Sequence, residues 1–317
     1  KVKLIYKVDK KMNLNHIKKL MDRKKNSRKG ENGHVLVIGG SEQYVGAVTL
    51  ASLAALRAGC DIVTVIAPEK VAWAINSYSP DLITEKLKNN SYTVRNAKEL
   101  VKYVDKFDTL LLGNGIGKKA ERFCQFFVRK SPKLKVIDAD ALKGMSFKDF
   151  QNCIVTPHYT ELEIMLTNSH KHFLLPKLRN SNAKEKAEIL QGNLRYFLHN
   201  NNVLLLKGPT DIIISRNKIA FNRTGNQGMT KAGTGDVLSG LAAGFLAKSG
   251  DLFKSAVAAS FINGYLGDLL LKKRKGYSFI ASDILDDLEK LSKVMKSGKS
   301  LVKKKAKRKK PAKKKKK

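Results

Sequence analysis

The sequence predicts an α/β protein built on a mostly parallel sheet, and three observations predict it. Short apolar runs alternate with longer helical patterns from Gly33 onward, glycine or short polar residues follow the runs, and 42% of the 317 residues are apolar. That apolar share supplies a substantial buried core and excludes disorder through the whole chain. A first strand is expected at 34–40, a helix at about 47–58 stopped by Gly59, and a strand at 62–67, which together make a βαβ unit. The alternation continues through a strand at 109–112, a helix near 118–130, strands at 135–138 and 153–156, a helix near 161–166 and a long helical stretch at 183–198. A strand at 203–206, a hairpin of 211–215 with 218–221, and helices near 235–249, 252–271 and 281–296 complete the order, with no internal repeat. Such an order implies a doubly wound sheet covered by helices, whose ligands bind beyond the carboxyl ends of the strands.

Charge is concentrated at the ends of the chain. The formal net charge is +35, and residues 303–317 hold twelve Lys or Arg and no acid. Such a run cannot bury apolar surface, so it is expected to be a disordered tail with weak, nonspecific affinity for nucleic acid as a by-product. Basic-aromatic interleaving for base recognition is missing, which argues against nucleic-acid binding as the main role. The longest apolar runs fall well short of the roughly 20 residues of a membrane helix, and no apolar targeting segment opens the chain; a cytoplasmic protein without a membrane partner is expected. Cys60, Cys124 and Cys153 are too few and too scattered for a disulfide framework or a zinc site and read as reduced core thiols.

The loops after the strands carry the chemistry. They run Gly39-Gly40-Ser41, Gly113-Asn114-Gly115-Ile116-Gly117, Asp138-Ala139-Asp140, Thr156-Pro157-His158, Lys207-Gly208-Pro209-Thr210, and Gly225 through Gly240. In the last, Ala232, Gly233, Thr234 and Gly235 let backbone N–H groups converge at a helix start, an anion hole. Asp236 beside it is placed to accept the proton of an attacking hydroxyl, although acids are favoured in any helix's first turn. Lys207 before Gly208 brings an ammonium and a bare backbone to a strand end, as a surface lysine before a turn also would. His158 and Glu161, three apart, point either into the crevice or into a helix cap. Asp138 and Asp140 could orient metal or loop backbone, and an Asx turn explains them equally.

No G-x-x-x-x-G-K-[ST] and no G-x-G-x-x-G after the first strand is present. The Ala232-Gly233-Thr234-Gly235-Asp236 segment instead resembles the anion-hole motif of the ribokinase-like superfamily, which implies a three-layer α/β/α fold. Together with residues 33–41, Asp138-Ala139-Asp140-Ala141-Leu142, Thr156-Pro157-His158-x-x-Glu161 and Gly225-Asn226-x-Gly228-Met229, it is similar to the NAD(P)H-hydrate dehydratase family. That resemblance implies nicotinamide-nucleotide repair: ADP or ATP, with Mg²⁺, phosphorylates the ring hydroxyl of hydrated NADH or NADPH (NADHX, NADPHX), and loss of phosphate restores the reduced cofactor. By the resemblance Asp236 is the base. Ala47, Gly117, His158 and Asp236 would contact the substrate, Lys207, Gly208, Pro209, Thr210, Asp211 and Gly235 would hold the adenine nucleotide, and Glu161 would reach magnesium through water. A basic extension at 1–27, a ribokinase-like domain at 28–297, a Lys-rich tail at 298–317, a homo-oligomer and an epimerase on a separate chain are further expectations.

Three departures from the family pattern stand out. Asn114 replaces the usual proline of G-P-G-x-G, Tyr159-Thr160 replaces Pro-Gly, and Thr230-Lys231-Ala232 replaces Ala-Thr-Gly, which leaves Lys231 either near a phosphate or facing solvent. The rival reading is a kinase of the same superfamily acting on a hydroxymethylpyrimidine or thiazole alcohol. His158 argues against it, because such kinases usually carry asparagine at that point.

Overall fold

The computed structural model describes residues 4–7, 17, 20–87 and 91–296; the Lys-rich tail expected at 298–317 lies outside the described residues. Its strands are β1 (Leu4–Lys7), β2 (His34–Ile38), β3 (Ile62–Pro68), β4 (Ile83–Leu87), β5 (Thr109–Leu112), β6 (Leu134–Ile137), β7 (Cys153–Val155), β8 (Val203–Leu206), β9 (Asp211–Ile214) and β10 (Lys218–Asn222). They form one ten-stranded sheet in the order β1-β10-β9-β8-β7-β6-β5-β2-β3-β4. Only β9 runs against the others, since it pairs antiparallel with both β8 and β10 while the remaining pairs are parallel. Strand order reverses between β5 and β2, the switch point at which doubly wound sheets open a crevice.

Alternation along each strand fills a layer on both faces. Val35 and Val37 of β2 join one buried cluster with Val63, Val65, Leu111 and Leu205. Leu36 and Ile38 join the other with Leu110, Leu112, Ile137 and Leu204. Against the first face pack α1 (Val45–Arg57), α10 (Thr234–Ser249), α11 (Leu252–Leu270) and α12 (Ala281–Lys296), and α2 (Glu69–Tyr78) joins them. Against the second lie α3 (Val94–Tyr103), α4 (Glu121–Lys130), the short α5 (Asp140–Lys143), α6 (Tyr159–Asn168), α7 (Leu175–Arg179), α8 (Ala183–Asn193) and α9 (Arg195–His199). The expected three-layer α/β/α architecture is therefore present. Cys60, Cys124 and Cys153 are free and buried, as read from the sequence, and burial pushes the Cys60 thiol up to about 12.

Differences from the expected elements have local causes. The stretch 67–109 holds α2, β4 and α3, which the sequence pattern left unassigned; β4 reads Ile-Thr-Glu-Lys-Leu and lies at the sheet edge, where half-polar strands are tolerated. The helix expected over 183–198 breaks at Leu194, whose φ and ψ of −105° and 30° leave the helical region. Within the basic N-terminal segment, Leu4–Lys7 forms β1 and pairs with β10, and Ile17 and Leu20 are buried.

Helix α10 lies almost backbone-to-backbone on α1. A Cβ at Gly240 would sit 2.1 Å from the Ala51 carbonyl oxygen, and one at Gly244 would sit 2.5 Å from that of Ala55. This contact sets the depth of α10 and therefore the height of its first turn above the sheet. Gly240→Ala should destabilise the protein by about 1–3 kcal/mol, although alanine is the better helix former by about 1 kcal/mol. Urea unfolding would read this as a lower midpoint at constant slope, and a raised midpoint would contradict the contact.

Candidate active site

All the glycine-bearing loops meet on one rim of the sheet, at the carboxyl ends of the parallel strands. Between the loop after β8, the loop after β10 and the starts of α10 and α6 lies a cavity of about 600 Å³. His158, Lys207, Gly208, Pro209, Asp211, Gly225, Asn226, Thr234 and Gly235 line it. Five of the six residues assigned to the adenine nucleotide thus line the cavity, and Thr210 lies in the loop between Pro209 and Asp211.

Helix α10 starts at this cavity. Its N-cap is Gly233 at φ 92°, and no side chain caps the first turn. The first N–H groups of a helix have no partner within it, so those of Gly235 and Asp236 remain for an anion. Thr234 turns away, its hydroxyl donating to the carbonyls of Met229 (2.7 Å) and Lys231 (3.0 Å). Ala232 is exposed, and Gly233 packs against Leu50 and Ala281. Of the four expected anion-hole residues, the last two supply the cavity wall and the first two the turn that leads into it.

Behind the cavity wall, Lys207 is surrounded by the carboxyl groups of Asp138, Glu161 and Asp236. Lys207 Nζ donates to Asp138 Oδ1 at 3.0 Å and stands 3.7 Å from Glu161 Oε2. Asp138 Oδ1 also accepts the Thr156 hydroxyl at 2.7 Å. Burial, the largest influence on Lys207, pushes its pKa down, yet Asp138 and Glu161 together hold it above the usual ammonium value. Asp236, on α10, has its carboxyl pushed up to about 7, by burial first and then by the charge of Asp138, against the Asn114 hydrogen bond and Lys207. A carboxyl group balanced near neutrality suits a general base.

His158 and Glu161 form the helix cap, and His158 also borders the cavity. His158 is the N-cap of α6, its Nδ1 accepting from the Glu161 N–H at 3.3 Å while Glu161 Oε2 accepts from the His158 N–H at 2.9 Å. His158 nevertheless lines the cavity, and burial and the Lys207 charge lower its pKa from the ordinary imidazole value. Glu161 is only 4% exposed, and burial raises its pKa. Among the described residues no group of three His, Cys, Asp or Glu is arranged to hold a metal directly. The donor set fits a magnesium ion carried by phosphate oxygens and met by Glu161 through water.

On the other flank, the loop after β5 meets the start of α1. Gly115 lies against Tyr44 and Ala47, and Gly117 faces Ser41 and donates its N–H to Asp140 Oδ2 at 3.1 Å. Gly115, two residues before Gly117, thus brings the loop after β5 against Ala47 at the start of α1. Asp211, expected to touch nucleotide, also organises its own loop: it accepts the Gly208 N–H at 3.0 Å and the Ser260 hydroxyl at 2.6 Å. Lys231 lines the cavity, and its ammonium donates to the carbonyls of Tyr277 and Phe279 (2.8 Å).

Sequence reasoning missed a polar stripe on α11. Ser260, Asn263 and Gly264 line the cavity, and Asp268 accepts from the Gly225 N–H at 3.2 Å and from Asn226 at 3.3 Å. Their spacing of three or four residues on an otherwise apolar helix was the available signal. Asn114, noted only as a departure, bridges Asp138 and Asp236.

This fold and this rim define the ribokinase-like class, a three-layer sheet with a glycine-rich anion loop opening a helix. A family model described as NAD(P)H-hydrate dehydratase matches residues 35–290, and the chain belongs to that family. The bifunctional NAD(P)H-hydrate repair enzyme Nnr of Methanothermobacter thermautotrophicus is 38% identical over 276 residues, 84% of this chain and 51% of that one. The chain thus spans about half the length of such bifunctional relatives. The ADP-dependent (S)-NAD(P)H-hydrate dehydratase of Cenarchaeum symbiosum is 35% identical, covering 86% of this chain and 92% of that one. Among solved structures, the ADP/ATP-dependent NAD(P)H-hydrate dehydratase from Bacillus subtilis co-crystallised with ATP/Mg²⁺ shares the fold at a TM-score of 0.73 and 23% identity, covering 89% and 97% of the two chains.

The raised carboxyl of Asp236 couples the site to stability. Asp236 keeps its proton in the folded state at pH values where the unfolded chain, with an ordinary value of 3.8, has released it, so its contribution to stability falls as pH rises from about 4 to about 7. Asp236→Asn removes that loss. The variant should gain on the order of 2–4 kcal/mol over wild type at pH 8 and little near pH 4, read by urea unfolding at both; equal stability at pH 8 would mean the carboxyl is not held near neutrality.

Proposed function

We propose that this protein repairs hydrated nicotinamide nucleotides, converting NADHX or NADPHX to NADH or NADPH at the expense of ADP or ATP. The observation that carries the reading is Asp236, a carboxyl pushed up to about 7 in the first turn of α10, a helix start that no side chain caps and that borders the cavity through Thr234 and Gly235. The family and the named activity of the Cenarchaeum symbiosum relative support the substrate class.

In this reading Gly208, Pro209, Asp211 and Gly235 seat the adenine nucleotide with its terminal phosphate against the first turn of α10. Asp236 takes the proton of the ring hydroxyl as that oxygen attacks the terminal phosphorus. One P–O bond forms, the bond to the leaving nucleotide breaks, and AMP or ADP departs according to the donor. The N–H groups of Gly235 and Asp236 meet the charge on the transferring oxygens, an arrangement that acts through preorganisation more than through the helix dipole, which is worth about 0.3–1 kcal/mol when exposed. His158, whose Nδ1 accepts the Glu161 N–H, donates a hydrogen bond from Nε2 at the substrate. Phosphate then leaves with the electrons of the C–O bond, the adjacent ring carbon loses a proton, and the dihydronicotinamide is restored. Magnesium, when bound to the phosphates and met through water by Glu161, supplies charge neutralisation.

The assay is the return of dihydronicotinamide absorbance from hydrated NADH with ADP or ATP and Mg²⁺. Asp236→Asn should lower kcat by about 10²–10⁴-fold while the nucleotide dissociation constant stays within a few-fold. Phosphorylation of a hydroxymethylpyrimidine or thiazole alcohol, without any absorbance gain from hydrated NADH, would replace this reading with the kinase one.

A further inference from the structure

We propose that Asn114 is a positioning residue for the base, its side-chain amide clamping the Asp236 carboxyl in a fixed place beside Asp138 and the first turn of α10. The inference rests on the reading of Asp236 as the base. Asn114 is fully buried, and its Nδ2 lies 2.7 Å from Asp236 Oδ1, 3.0 Å from Ser239 Oγ and 3.2 Å from Asp138 Oδ2. The Ser239 hydroxyl in turn donates to the Asp236 carbonyl at 3.0 Å, so that oxygen acts as an acceptor toward the amide. Two hydrogens thus serve three acceptors, and two of these belong to carboxyl groups that repel one another.

The arrangement is specific to one end of the amide. With Nδ2 on the carboxyl groups, Asn114 Oδ1 is left buried with no partner among the described residues. An orphaned buried acceptor is destabilising, and a fold retains one where turning it round would be worse. Turned round, the amide would present an oxygen lone pair to two carboxyl groups. Asn114 is also the one side-chain donor on Asp236 among the described residues; Lys207 spends its ammonium on Asp138 and Glu161 instead. Asp236 Oδ1 is therefore held while Oδ2 has no hydrogen-bond partner among those residues, the pattern needed of a carboxyl that must take a proton on one oxygen without swinging.

The backbone makes the clamp rigid. Gly113 adopts φ 123°, and a Cβ there would lie 1.9 Å from the Asp138 carbonyl oxygen, so only glycine lets the loop press this close. The Asn114 carbonyl accepts the Gly40 N–H at 2.8 Å, which ties the loop to the end of β2. The amide reaches Asp236 from across the switch point, and the charged groups facing the same carboxyl are Asp138, Glu161 and Lys207. A donor on a carboxylate favours its ionised form. Without the amide, Asp236 would hold its proton to higher pH and lose its fixed orientation.

Asn114→Leu, close in volume but without a donor, and Asn114→Ala test this in the 317-residue chain. The acidic limb of the kcat profile should move up by about one pH unit and kcat at pH 7 should fall about tenfold, with KM for ADP within twofold. In protein labelled at the aspartate carboxyl carbons, the signal lost in Asp236→Asn should titrate correspondingly higher in both variants. In wild type the Asn114 side-chain amide resonances should titrate with the same midpoint as that carboxyl, a readout that needs no variant to fold. Flat amide resonances, or folded variants with an unmoved carboxyl titration and kcat profile, overturn the proposal. A raised KM for ADP with an unmoved kcat profile overturns it as well, in favour of a loop role. Should wild type fail to act on hydrated NADH while the carboxyl titration still moves in the variants, the functional reading falls and the clamp stands.

Discussion

Asp138, Glu161 and Asp236 come to one rim from the ends of different strands and helices, and the Lys207 ammonium stands among them. Like charges brought together out of water repel, and burial adds to the penalty. How the fold divides its few donors decides everything else at the site. Lys207 and the Thr156 hydroxyl go to Asp138, the α6 cap goes to Glu161, and the neutral amide of Asn114 is left for Asp236. The least compensated carboxyl is the one pushed up to about 7, and it is the one beside the uncapped helix start. Base and anion hole are therefore products of the same allocation.

That allocation depends on distances that small residues permit. Gly240 and Gly244 let α10 settle onto α1, and Gly113 lets the loop after β5 press on Asp138. A single methyl group at any of these would shift the first turn of α10 or the amide of Asn114 by tenths of an ångström, which is the scale on which a hydrogen bond of 2.7 Å is made or lost. Stability is given up in return: a carboxyl held near neutrality and an orphaned amide oxygen both weaken the folded state, and both lie at the site and not in the two apolar clusters that hold the layers together.

Much of this was legible in the sequence. Period-two and period-3.6 apolar patterns are local, so the strands from 34 onward other than β4, the hairpin of β9 with β10 and the last three helices could be read directly. The glycine-bearing loops could be read because sterics restrict what else can sit at a strand end that approaches a ligand. Strand β4 was missed since its polar edge face carries little apolar signal, and β1 because its pairing with β10 joins segments more than 200 residues apart. The stripe on α11 was hidden by treating that helix as core.

What the sequence by itself determined was the layered α/β architecture, the rim on which the chemistry lies and the residue types gathered there, since each follows from local periodicity and steric rules. What only the tertiary structure decided was who bonds to whom on that rim. Lys207 could have served a phosphate alone, Lys231 a phosphate or solvent, Glu161 a cap or the crevice, and Asn114 nothing in particular. Their partners lie up to 125 residues away along the chain, and hydrogen bonds and charges are satisfied in space, where sequence separation carries no information about distance.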